Sequence, residues 1–185
     1  MVNIVTLKDG SKYLLDVGFG SNGPTQPLLL DPKSQTQHIE PADMRLAKQN
    51  LAVNTDPDQS LWLYQYRVSP DEEWLPIYCF TELEFLPQDY EIMNFYTSQN
   101  RKSWFTYRVV CVKMIMEAGE LIGTITLVGG EVKRRIRNET EHLKTCENEE
   151  ERVKALDEYF DIKLSKAEAV GIKGMVSHCQ GGMAS

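Results

Sequence analysis

The chain has 185 residues, of which 42% are hydrophobic and 25% charged; this fits one large or two small domains of a soluble globular protein. Its net charge of −7 argues against a nucleic-acid or anionic-membrane partner, because both attract a basic surface, although an anionic cofactor could still use a local basic patch. No apolar run approaches the roughly 20 residues that a membrane helix needs.

The opening MVNIVTLKDG lacks a basic segment followed by a long apolar one, so no secretory leader is expected there. VNIVTL and SKYLLDV flank Asp9-Gly10 and predict a β-hairpin whose second strand delivers Asp16. SNGPTQPLLLDPKSQTQ, rich in Gly, Pro, Asn and Ser, reads as a loop, with PLLL inside it as a short buried strand. Residues 51–85 read as β structure: LWLYQYRVS alternates like a half-buried strand, PDEEW turns, and LPIYCF is a further strand. Thr81 followed by Glu84 matches a capping box. PQDYEIMNFYTSQ then reads as a short helix with Tyr90, Met93 and Asn94 on one face and Pro87 at its tolerated start.

WFTYRVVCVKMIM, residues 104–116, is the strongest strand candidate, being rich in β-branched and aromatic residues. EAG turns, and ELIGTITLVGGEVKRRIR predicts two more strands joined at Gly129-Gly130, for three antiparallel strands in succession. From Asn138 the chain turns charged, with Val153, Leu156, Tyr159 and Phe160 at helical spacing behind an acidic first turn. Ser165 and Glu168 form a second capping box, and the tail HCQGGMAS reads as frayed. The order predicts an α+β chain dominated by antiparallel sheet.

Asp16 raises the functional question, because an acidic residue ends an apolar strand and leads into a Gly-Phe-Gly turn in YLLDVGFGSNGP. One reading is a turn residue accepting backbone N–H groups from Gly18 or Phe19. The other is the third member of a nucleophile–His–Asp relay, in which a carboxylate fixes the imidazole tautomer. Candidate nucleophiles are weak. Cys79 and Cys111 lie in apolar runs and read as core thiols, and Cys146 has no evident base. His178-Cys179 is the only adjacent pair, yet chain neighbours seldom face one another. The scattered cysteines predict free thiols in a reducing cytoplasm, and His38, His142 and His178 stand too far apart for a metal site. YTSQNRKSWF joins hydroxyls (Thr97, Ser98, Ser103), cations (Arg101, Lys102) and aromatics (Trp104, Phe105); it suits a phosphate or nucleotide, or equally a solvated loop. EVKRRIR reads as a sheet edge with outward charges.

YLLDVGFGSNGPTQPLLL resembles the aspartate segment of the arylamine N-acetyltransferases, and DYEIMNFYTSQNRKSWF is similar to a second segment of that family. The resemblance covers essentially the whole chain and is nearest to fungal members. It implies a cytoplasmic enzyme of xenobiotic metabolism with a cysteine-proteinase-like fold. A cysteine thiolate would take acetyl from acetyl-CoA and pass it to an arylamine or arylhydrazine nitrogen, with histidine and aspartate behind it and no metal. By that resemblance Asp16 is the triad aspartate, Val17 and Phe19 line the acceptor pocket, and Thr97, Ser98, Ser103, Trp104 and Phe105 contact coenzyme A. It also implies a β-barrel-like domain over residues 1–86 and an α/β lid over residues 87–185. The helical N-terminal domain would be missing, and that domain is then a candidate partner.

The family's Arg-Gly-Gly-x-Cys segment does not occur in this sequence, and its histidine would fall at or just before Met1. The chain is therefore expected to be an inactive fragment when alone. The alternatives are a non-catalytic module that binds coenzyme A or a protein partner, and an unrelated thiol enzyme using His178 and Cys179.

Overall fold

The computed structural model describes residues 1–179. The chain divides into two compact units, Met1–Leu83 and the residues from Glu84 onward. Among the described residues no helix is long and apolar enough to cross a membrane.

In the first unit β1 (Asn3–Thr6) and β2 (Lys12–Leu15) form the predicted hairpin, paired from Asn3↔Leu15 to Thr6↔Lys12. Asp9 fixes its turn by accepting from the Ser11 amide at 3.0 Å and the Ser11 hydroxyl at 2.6 Å. PLLL supplies β3 (Leu28–Leu29), which pairs with β2. A second, antiparallel sheet runs in the order β4 (Gln35–Gln37), β5 (Asp43–Gln49), β6 (Leu61–Arg67), β7 (Leu75–Phe80). Alternation sends Met44, Leu46, Trp62 and Tyr64 inward, where they pack with Leu14 and Leu28 of the first sheet. Each such side chain contributes about 1.5–3 kcal/mol through burial.

Two expectations are corrected here. Gln35–Gln37, read as loop, is an edge strand; its polar residues carry no hydrophobic signal, and pairing with β5 alone makes it a strand. No closed barrel forms among the described residues. The seven strands make two open sheets, because β3 is only two residues long and pairs only with β2. A closed barrel needs an unbroken ladder.

Thr81 does not start a helix. Its hydroxyl accepts the Leu83 amide at 3.3 Å, and the helix starts at Pro87, with the Leu86 amide donating to Asp89 at 2.8 Å. Between them, Glu82 accepts from Lys12 Nζ at 2.8 Å and Trp62 Nε1 at 3.0 Å. Those two bonds, with Lys48 nearby, hold its carboxyl down at about 2. A depressed folded pKa gives stability that is present above the ordinary value of 4.5 and is lost as pH falls toward 2. The pair is more than one-third exposed, so Glu82→Gln costs at most about 1 kcal/mol at neutral pH. In urea unfolding that gap shrinks on acidification; a gap that grows contradicts the assignment.

The second unit opens with α1 (Pro87–Gln99), matching the expected span, then α2 (Trp104–Tyr107). Trp104–Tyr107 was expected to begin the strand; instead Thr106 Oγ1 donates to the Ser103 and Asn100 carbonyls and closes a helical turn. The strand β8 (Val110–Glu117) follows, then β9 (Glu120–Val128), β10 (Glu131–Ile136) and β11 (Glu139–Thr145), in one antiparallel sheet of order β11-β10-β9-β8. Ala118 and Gly119, both at positive φ, turn the chain between β8 and β9. Residues 139–145, in which only Leu143 is apolar, carry no strand signal of their own. That strand is aligned by cross-strand pairs instead, Arg134 with Glu141 and His142 Nε2 with Glu131 at 2.8 Å.

Helix α3 (Glu149–Phe160) is capped by Asn148, whose Oδ1 accepts the Glu151 amide at 3.0 Å. Leu156 and Phe160 enter the core with Leu127, Val132, Ala155 and Cys146, while Val153 and Tyr159 are only half-buried. Helix α4 (Lys166–Val170) has the expected Ser165/Glu168 capping box. The most buried charge is Arg152, 2% exposed, which donates to the Gly129 carbonyl at 3.2 Å and the Ser177 carbonyl at 2.9 Å and pairs with Glu149. Glu149 also accepts the Cys179 amide at 2.9 Å, so this pair fastens residues 177–179 to the sheet. Of the tail, Gln180–Ser185 lie outside the described residues.

Candidate active site

Asp16 follows directly on β2, and its Oδ1 accepts the Gly18 amide at 3.0 Å. That bond folds DVGFG back on itself and fixes the carboxylate plane. Gly20, at φ +104, takes a conformation that favours glycine. Val17 is 99% exposed, whereas Phe19 lays its ring 5.3 Å from that of Tyr78. Tyr78 stacks in turn on Tyr64 at 5.2 Å, its register partner across β6 and β7.

These two tyrosines went unnoticed in the sequence. The Tyr64 hydroxyl donates to the Asn22 carbonyl at 3.0 Å. The Tyr78 hydroxyl is buried and closes no hydrogen bond of ordinary geometry; the Asp16 carboxylate is the group that acts on it, as a hydrogen-bond acceptor first and as a charge second. Burial first, and the Asp16 carboxylate with it, push the Tyr78 phenol far up; burial, Tyr66 and Asp16 do the same to Tyr64. Raised folded pKa values give stability that is whole below the ordinary value of 10.0 and is lost as pH rises through the folded values. In an alkaline absorbance titration, Tyr64 and Tyr78 stay protonated until the fold is lost. Ionisation of all eight tyrosines with circular dichroism unchanged contradicts this.

The other predicted contacts lie in the second unit. Thr97 Oγ1 donates to the Met93 and Asn94 carbonyls, Ser98 Oγ to Asn94 at 2.7 Å, and Ser103 Oγ to Thr97 at 2.6 Å. The hydroxyl protons therefore hold the α1–α2 corner, and donation to a phosphate requires them to rotate. Trp104 and Phe105 meet edge to face at 5.6 Å and are exposed. The Cys179 thiol donates to the Cys146 carbonyl at 3.3 Å, not to His178. Burial raises the pKa of the Cys111 and Cys146 thiols, so neither is set up as a nucleophile.

A partly buried, oriented carboxylate beside phenols can fix an imidazole and stabilise its cation, but it cannot itself attack a thioester. Residues 1–169 match the family described as N-acetyltransferase.

The chain belongs to the arylamine N-acetyltransferase family.

It is 40% identical over 182 residues to the N-malonyltransferase FDB2 of Fusarium pseudograminearum, covering 93% of this chain and 53% of that protein. It is also 40% identical over 165 residues to the N-malonyltransferase FDB2 of Gibberella moniliformis, covering 84% of this chain and 48% of that protein. The chain thus spans about half the length of the curated relatives it matches. Among solved structures, the arylamine N-acetyltransferase of Salmonella typhimurium superposes with a TM-score of 0.71 at 21% identity, over 92% of this chain and 59% of that one. The Mycobacterium marinum enzyme in complex with CoA gives 0.68 at 24%, over 87% of this chain and 53% of that one. These likenesses show the fold.

Proposed function

We propose that this chain is the aspartate-bearing part of an acyl-CoA-dependent N-acyltransferase acting on an arylamine or arylhydrazine. The observation that carries the reading is Asp16, held by the Gly18 amide on one oxygen and set beside Tyr78. In the reaction a cysteine thiolate attacks the thioester carbonyl, and coenzyme A leaves as its thiol with the proton of the imidazolium. The amine then attacks the acyl-cysteine, the cysteine leaves as its thiolate, and histidine takes the proton that the nitrogen loses. Asp16 holds that histidine in the productive tautomer and stabilises its cation. The cysteine and histidine are supplied by protein outside this sequence, which has no Arg-Gly-Gly-x-Cys segment.

Val17 and Phe19 border the acceptor. Trp104 and Phe105 offer rings to coenzyme A, with Thr97, Ser98 and Ser103 shaping the corner beneath them. The exposed Ile92 and Phe95 of α1 support the view that further protein covers that helix. The family's donor is acetyl-CoA, and the names of the fungal relatives add malonyl-CoA as a rival. The test compares this chain alone with the chain joined to a family Cys/His-bearing segment, each given an arylamine and either donor. The joined protein acylates and the chain alone does not. Equal acylation by the chain alone overturns the proposal. Tight coenzyme A binding by the chain, with no turnover once joined, favours a binding module.

A further inference from the structure

The sheet β4–β7 carries a second constellation on the face opposite Tyr64 and Tyr78. Side chains alternate along each strand, so Arg45 and its register partner Gln65 project away from the core side that takes Met44 and Tyr64. Trp74 lies against both cations of this face, its ring centre 4.2 Å from the Arg45 guanidinium carbon and 4.6 Å from that of Arg67.

The two arginines are not equivalent. Arg67 is neutralised: its Nε and Nη2 donate to Asp43 Oδ2 at 2.9 and 2.6 Å, and Gln35 donates to the same oxygen at 3.0 Å. Arg45 spends only Nε, on Gln65 Oε1 at 2.8 Å. Among the described residues its two Nη groups meet no acceptor, and the Gln65 amide nitrogen is likewise unbonded. Of the two guanidiniums only Arg67 has a carboxylate, and the unneutralised charge sits on Arg45, whose Nε is held by Gln65. Gln65, which fixes it, is itself only 5% exposed. Burial, with the like charge of Arg67, lowers the Arg45 pKa, as expected for a cation lacking a counter-ion. In a chain of net charge −7 such a half-buried cation stands apart from the solvated surface charges.

We propose that Arg45, Gln65 and Trp74 form a binding site for a small oxyanion, a carboxylate or a phosphate. The Nη groups of the planar guanidinium offer parallel N–H donors to two ligand oxygens, Trp74 lies over it and restricts its movement, and the Gln65 amide adds a further donor. Because the Nε bond and the stacking already orient the fork, little side-chain freedom is lost on binding. A carboxylate matches the planar fork best and is the expected ligand.

The test is amide, indole and guanidinium NMR on the whole chain, titrated separately with sodium malonate and sodium phosphate at constant ionic strength. Saturable shifts of the Trp74 indole and Arg45 Nε–H signals are expected with malonate, while Trp62 and Trp104 stay still. Arg45→Gln weakens binding at least about tenfold. Arg45→Lys keeps the charge and loses the fork, so it also binds several-fold more weakly, and it serves if the Gln variant does not fold. Tighter saturation by phosphate keeps the site and reassigns its ligand class. Linear drift with both anions, equal movement of all three indoles, or undiminished binding by Arg45→Lys overturns the proposal.

Discussion

Asp16→Asn lowers kcat of the joined, catalytically complete protein by about 10⁴-fold while leaving the fold intact. The asparagine carbonyl oxygen still accepts the Gly18 amide, so the DVGFG turn survives. What changes is the atom offered to histidine. A carboxylate accepts the imidazole N–H and stabilises the cation formed when the thiol ionises; an amide that presents its NH₂ group favours the wrong tautomer and carries no charge. Both the thiolate population and the proton transfer from the amine suffer, so the loss falls on kcat rather than on KM. Thermal unfolding of the isolated chain bearing Asp16→Asn stays within about 0.5 kcal/mol of the parent, as expected for a substitution that keeps its local hydrogen bond. A drop in kcat below tenfold would remove Asp16 from the relay and leave it as a turn residue.

Arg152→Leu destabilises the second unit by about 3–5 kcal/mol, the largest stability effect expected in the chain. The substitution strips the part-buried Glu149 of its counter-charge and leaves the Gly129 and Ser177 carbonyls without their donor. Arg152→Lys recovers only part of the loss, since a single ammonium cannot reach Glu149 and two carbonyls with forked geometry. Replacing Glu149 and Arg152 together by Gln and Leu costs less than the sum of the single changes, because no uncompensated charge remains. Urea unfolding gives the magnitudes, and hydrogen exchange locates them: the Cys179 amide, bonded to Glu149, loses protection first. A cost under about 1 kcal/mol, with Cys179 still protected, contradicts the role given to this arginine.

Where local chemistry decides structure, the sequence was legible. Asp9-Gly10 forced the first hairpin, Gly129-Gly130 joined β9 to β10, Pro87 opened α1 and Ser165/Glu168 capped α4. Where partners far along the chain decide, it was not. β4 and β11 are polar strands made by pairing with β5 and β10, and the Thr81/Glu84 pattern caps nothing because the helix starts only at Pro87, where Asp89 accepts the Leu86 amide. The same division runs through the site. Asp16 stood out because a carboxylate ending an apolar strand is unusual. Tyr64 and Tyr78 stayed hidden because their meeting depends on the register of β6 against β7. Arg152 was hidden too; preceded by three glutamates it reads as surface charge, and only the helix phase carries it inside.

The measurement that tests the central claim most directly is the intact mass and N-terminal sequence of the native protein from the cells that express it. The account predicts a longer chain, with a cysteine in a family-like Arg-Gly-Gly-x-Cys segment and a histidine just ahead of Met1, the residue that Asp16 orients. A native protein beginning at Met1, with no second chain bringing that cysteine and histidine, would contradict it; Asp16 would then have no base to hold.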